Sequence, residues 1–138
     1  MDVNDKQKVL VVDDEPSVRQ LISKILSKSY AVIEAKDGEE AIKATQSQKP
    51  GIVIMDMMMP KMDGLTACYA IKRDPATRNT PVVMLTAIDQ ELNKKLSTTV
   101  MGANKYMTKP FSAQELLSVI RQLLNNSEQT SEKAGYIE

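Results

Sequence analysis

Apolar positions along the chain follow two alternating rhythms. Short, nearly continuous runs occur at KVLVV (8–12), AVIEA (31–35), GIVIM (51–55), PVVML (81–85) and KYMT (105–108). Three of them are almost unbroken, which is the pattern of parallel strands covered on both faces. Between the runs, apolar residues recur at helical spacing, first as Val18, Leu21, Ile22, Ile25 and Leu26 behind Pro16. A second helix is predicted to open at Asp37-Gly38-Glu39-Glu40, where Asp37 can cap and Glu40 sits three residues on. A third runs from Asp63-Gly64 to near Arg73, and a fourth covers 89–101 with Leu92, Leu96 and Val100 at four-residue steps. The last opens on Ser112-Ala113-Gln114-Glu115, a capping box, and carries Leu116, Leu117, Ile120, Leu123 and Leu124.

Five strand–helix repeats predict an α/β fold: a doubly wound, five-stranded parallel sheet with right-handed crossovers, one domain over residues 8–125. Residues 1–7 form a short N-terminal extension. Residues 126–138 are polar and unpatterned, and read as a flexible tail or the stub of a linker.

Composition narrows the chemistry. The 138 residues hold 18 Lys plus Arg against 18 Asp plus Glu, so no bulk charge draws the chain to nucleic acid or anionic lipid. A single cysteine, Cys68, cannot form an internal disulfide, and no apolar run has membrane-spanning length. A cytoplasmic location is the expectation, with no membrane partner. With no tryptophan and one phenylalanine there is no stacking platform for bases, so direct nucleic-acid binding by this domain is not expected. The absence of histidine excludes Ser-His-Asp and Cys-His catalysis, His-based metal sites and a phosphohistidine donor role.

In open α/β folds, ligands bind beyond the carboxyl ends of the strands. There the first run ends in Asp13-Asp14-Glu15, the third in Asp56, the fourth in Thr86 and the fifth in Lys109. Acids packed together repel, so either their pKa values rise or a cation joins them. An all-oxygen site suits a hard cation, Mg2+ before all and Mn2+ as a substitute. A carboxylate in such a pocket can act as a nucleophile toward phosphorus, with the cation, Lys109 and Thr86 each taking a phosphoryl oxygen.

These residues also carry a resemblance. DDE at 13–15, Asp56 with MP at 59–60 and DG at 63–64, TA at 86–87, GA at 102–103 and KPF at 109–111 resemble the receiver domain of bacterial two-component response regulators, the chemotaxis response regulator among them. The resemblance spans residues 8–125 and implies a flavodoxin-like sheet of order 2-1-3-4-5. It makes Asp56 the phosphoacceptor, and Asp13, Asp14, Asp56 and the backbone carbonyl of Met58 the Mg2+ ligands. Lys109 pairs with the phosphate, Thr86 hydrogen-bonds it, and Thr86 with Tyr106 forms the switch. A cis peptide at Lys109-Pro110 is also implied. Such a chain is no enzyme beyond Mg2+-dependent self-phosphorylation and slow autodephosphorylation. Its implied partners are a sensor histidine kinase or histidine phosphotransfer protein, then a target protein or a second copy through the 89–125 face. Met58 and Ile88 occupy the positions that tune hydrolysis in this family. Both are apolar, which implies a long-lived phosphoryl group.

Plainer readings stand beside these. Asp13-Asp14-Glu15 could merely cap the first helix, Tyr106 could be a half-buried edge-strand aromatic, Met57 to Met59 could fill core gaps and Cys68 could be a small core residue. An acid closing an apolar strand, as Asp56 does, is harder to explain structurally. Rival functions are a Mg2+-dependent phosphatase with an aspartate nucleophile, whose D-x-D arrangement the first strand lacks, and a phosphate-independent pseudo-receiver acting as a binding module.

Overall fold

All five predicted strands form, and the three that lead to Asp56, Thr86 and Lys109 reach further than their apolar runs. The computed structural model describes residues 6–87 and 102–137, with side chains through residue 126. Strands β1 (Lys8–Val12), β2 (Ala31–Ala35), β3 (Ile52–Asp56), β4 (Val82–Ala87) and β5 (Lys105–Lys109) are parallel and ordered β2-β1-β3-β4-β5. Helices α1 (Pro16–Leu26), α2 (Gly38–Gln48), α3 (Gly64–Arg73) and α4 (Ala113–Ile137) complete the flavodoxin-like architecture. The helix predicted over 89–101 lies outside the described residues, as does Ile88.

Two core layers follow from strand alternation. Leu10, Val12, Val53, Met55 and Met84 face one side and pack with Ala41, Ala67, Cys68 and Ile71 of α2 and α3. Val9, Val11, Ile52, Ile54, Val83 and Leu85 face the other and pack with Ile22, Leu26, Leu116, Ile120 and Leu124 of α1 and α4. Every residue of β3 is buried, as expected for the central strand of a covered parallel sheet. Cys68 lies in the first layer, where burial pushes its thiol up to about 11. It is a core residue and not a reactive thiol.

Local chemistry explains the boundaries. Asp37 caps α2 by accepting from the Glu40 amide at 2.9 Å, while Glu40 reaches back to the Lys36 amide at 3.0 Å, one residue earlier than a standard capping box. At α4 the box is reciprocal, with Ser112 Oγ accepting from the Glu115 amide at 3.0 Å and Glu115 from the Ser112 amide at 3.4 Å. At α1 the plain capping reading fails: the N-cap is Glu15, and its side chain makes no cap hydrogen bond. Where the sequence predicts a flexible tail from 126, the backbone instead stays helical to Ile137. No proline interrupts that stretch, and its Glu, Gln, Lys and Ala residues are good helix formers, so a helix already anchored through Leu124 continues.

One glycine is fixed by close approach. A Cβ at Gly64, the first residue of α3, would collide with the Asp56 carbonyl oxygen and lie 2.6 Å from Met84 Cε and 2.9 Å from Met57 Cα. Backbone atoms dominate that contact and cannot swing away. Gly64→Ala is expected to destabilise the fold by about 1–3 kcal/mol, the usual cost of overpacking. Gly51→Ala, which meets a movable Leu124 methyl at 3.1 Å, should cost less; equal midpoints in chemical denaturation would contradict this account.

Candidate functional site

The carboxyl edge of the sheet gathers the acids that the sequence separates by more than forty positions. Asp13 follows β1 directly and is 1% exposed; Asp56 closes β3 and is 8% exposed. Asp14 is the open member of the group, and one carboxylate oxygen from each of the three lies within 4.8 Å of the others. Asp56 is itself a ladder residue, paired with Leu85, so its backbone is held on the neighbouring strand. The strand thus runs one residue past its apolar run, and Asp56 closes it as the sequence pattern predicts.

Lys109, the last residue of β5, reaches both buried acids. Its Nζ donates to Asp56 Oδ1 at 3.2 Å and stands 3.8 Å from Asp13 Oδ2. The second distance is an ion-pair separation, too long for a hydrogen bond. The peptide bond from Lys109 to Pro110 is cis, as the resemblance implied.

Burial pushes the Asp56 carboxyl above its usual range, against the pull of Lys109 and the Met58 amide, with Asp14 adding repulsion. Burial likewise raises Asp13, partly offset by the Glu15 amide and further raised by Asp56. Asp13 Oδ1 accepts from the Glu15 amide at 2.9 Å, but Oδ2 is buried with no hydrogen-bond partner. An orphaned buried carboxylate oxygen is costly, and here it faces two more carboxylates. That donor set, all oxygen and strongly anionic, fits a hard divalent cation.

The other predicted residues are placed less tightly. Thr86 is buried on β4, one step past the partner of Asp56, and its hydroxyl donates to the Ala87 carbonyl at 3.2 Å instead of to Asp56. Tyr106 lies on the edge strand β5 opposite Met84 and is 39% exposed. Of the three methionines, Met57 is buried and Met59 packs against the core, but Met58 is 58% exposed. The gap-filling reading is therefore wrong for Met58, whose side chain is exposed. Sequence reasoning passed over Arg19, which reads as one more solvated helix cation. In the structure it donates to the Asp13 carbonyl at 2.7 Å and pairs with Glu34 at 2.9 Å. No local motif signals that contact, because it depends on β2 lying beside β1.

The raised acids set a stability prediction. A carboxyl whose folded pKa exceeds its unfolded value costs stability where both states are ionised, and the cost vanishes as pH falls through the folded value. In a chelator at neutral pH, Asp13→Asn keeps an acceptor for the Glu15 amide and removes a buried charge. Its thermal midpoint should exceed that of the unsubstituted chain by several degrees, with the difference shrinking toward about pH 4. An unchanged or lower midpoint at neutral pH would contradict the assigned burial cost.

Comparison with known proteins agrees with the geometry. Residues 9–121 match the response regulator receiver domain. The alkaline phosphatase synthesis transcriptional regulatory protein PhoP of Bacillus subtilis is 42% identical over 123 residues, covering 88% of this chain and 50% of its own. The DNA-binding dual master transcriptional regulator RpaA of Synechocystis is 35% identical, covering 95% of this chain and 54% of its own. The chain thus spans about half the length of these curated relatives. Among solved structures, a response regulator from Chloroflexus aurantiacus superposes with a TM-score of 0.81 at 33% identity, covering 87% of this chain and 98% of its own. Chemotaxis protein CheY4 of Vibrio cholerae gives 0.80 at 33%, covering 86% and 98%. With its sheet order, its acidic edge and these matches, the chain belongs to the receiver-domain family of two-component response regulators.

Proposed function

We propose that this chain is a phosphoacceptor switch, taking a phosphoryl group from a partner phosphohistidine onto Asp56. The observation that carries the reading is Asp56 itself: a buried carboxylate at a strand end, 3.2 Å from the Lys109 ammonium and crowded by Asp13 and Asp14. In the transfer, a carboxylate oxygen of Asp56 bonds to phosphorus while the phosphorus–nitrogen bond breaks and the imidazole leaves with its electron pair. Mg2+, or Mn2+ in its place, would be held by Asp13, Asp14, Asp56 and the Met58 carbonyl, and supplies charge neutralisation at the phosphoryl oxygens. Lys109, 3.2 Å from Asp56, would take one oxygen. Thr86 has to exchange its bond to Ala87 for one to the phosphoryl group.

That exchange is the proposed switch. A Thr86 drawn toward Asp56 vacates space next to Tyr106, and the inward ring biases an existing two-state equilibrium of the 89–125 surface. The output is binding, to a target protein or to a second copy of the chain. The names of the curated relatives favour a target in transcriptional regulation. A sensor histidine kinase or a histidine phosphotransfer protein is the proposed donor, since the 138 residues contain no histidine to carry the group themselves.

Two outcomes check the chemistry. Incubation with Mg2+ and acetyl phosphate should add a single phosphoryl group by intact mass, absent in Asp56→Ala; no labelling of the native chain would sink the acceptor reading. By the resemblance, Met58 and Ile88 hold the two positions that tune hydrolysis, and both are apolar, so the phosphoryl group should be long-lived. Met58→Asn with Ile88→Glu is expected to accelerate its hydrolysis by up to about a hundredfold, the lower range for a positioned proton acceptor. An unchanged decay rate would show that these two side chains do not set the lifetime.

A further inference from the structure

Asp13 has four polar atoms, and three of them are held. Its amide donates to the Ala35 carbonyl of β2 at 3.2 Å, and its Oδ1 accepts from the Glu15 amide at 2.9 Å. Its carbonyl accepts from the Arg19 guanidinium at 2.7 Å. The fourth atom, Oδ2, is buried and has no hydrogen-bond partner among the described residues; the Lys109 ammonium stands 3.8 Å away. Two of the three restraints are backbone to backbone or local to the turn. Among the described residues, Arg19 is the side chain that acts on the Asp13 main chain from another element, and it is itself fixed: its Nε pairs with Glu34 Oε1 on β2 at 2.9 Å.

We propose that Arg19 is a positioning residue for the acidic site, holding the Asp13 main chain so that Oδ2 is presented to a divalent cation, with Glu34 keeping the guanidinium in register. The role is geometric. The Arg19 guanidinium pairs with Glu34 through Nε, and another N–H of the same fork reaches the Asp13 main-chain carbonyl. The planar fork explains the residue type, since one guanidinium can serve a carboxylate and a carbonyl at fixed angles while an ammonium cannot. Only 18% of the Arg19 side chain is exposed, so it is packed in this posture. The β1–β2 register places Glu34 beside Val11 and Ala35 beside Val12, so the same edge of β2 restrains Asp13 twice, through Ala35 and through Glu34–Arg19.

A plain alternative is that Arg19–Glu34 only staples α1 to β2. Such a staple would alter thermal stability modestly and leave cation binding untouched, because its effect is confined to the contact between α1 and β2. The proposal rests on the divalent-cation reading of the site, and the test separates the two. Mg2+ binding to the full chain is measured by calorimetry without phosphodonor, for the native protein, Arg19→Gln, Arg19→Lys and Glu34→Gln. Thermal midpoints in chelator accompany each. The expected result is Mg2+ affinity about tenfold weaker in Arg19→Gln, the scale of losing an outer support of a metal ligand. Arg19→Lys should fall between, and Glu34→Gln should shift in the same direction by less. In acetyl phosphate labelling, Arg19→Gln should raise the half-saturating Mg2+ concentration and keep the native rate once Mg2+ is saturating. Native-like Mg2+ affinity in the folded variants, with or without a lowered midpoint, overturns the positioning role and leaves the cation reading intact. If Arg19→Gln does not fold, Glu34→Gln and Arg19→Lys decide the matter on the same criterion. No Mg2+ binding by the native chain overturns the cation reading, and this proposal with it.

Discussion

The crowding of carboxylates at the carboxyl edge of the sheet is the constraint on which the other features turn. Asp13 and Asp56 are buried, both are pushed toward protonation, and Asp14 adds a third negative group. An edge like that lowers stability unless it is held open for something that repays it. Lys109 offsets part of the cost from the far strand, but its ammonium sits closer to Asp56 than to Asp13. The imbalance leaves Asp13 Oδ2 as the least satisfied atom of the site. The sheet supplies the stiffness to keep this arrangement, because Asp56 is locked in the ladder between β3 and β4.

Most of the architecture was legible because parallel strands buried on both faces declare themselves as unbroken apolar runs. KVLVV and AVIEA match their strands end to end. Asp56, Thr86 and Lys109, which the sequence places at the ends of their runs, are residues of the strands themselves, because backbone pairing continues one or two positions past the point where hydrophobicity stops. Beyond 125 the sequence shows no apolar stripe, and the helical backbone there follows from helix propensity and a preceding anchored helix.

Site residues divide the same way. Asp13, Asp14, Asp56 and Lys109 converge because each ends or follows a strand of one parallel sheet, so topology alone brings them together. Arg19 and Gly64 were invisible by that route. The contact of Arg19 with the Asp13 carbonyl depends on how α1 packs over β1 and β2, and that of Gly64 with Asp56 depends on the depth at which α3 docks. Neither follows from spacing. Met58 departs from expectation because it lies past the end of β3, where the chain leaves the covered sheet and its side chain is exposed.

The place of β3 in the sheet has a consequence for how a signal would be kept. Its neighbours on both sides are strands, its five residues are all buried, and its last residue is the proposed acceptor. Tyr106 lies two strands away on the open margin. Central strands open last and margins open first when a native protein fluctuates. A phosphoryl group on Asp56 would therefore be written into the most slowly breathing part of the molecule and read out where breathing is fastest. Memory and response would run on separate clocks, the first set by bond hydrolysis and the second by the motions of an edge.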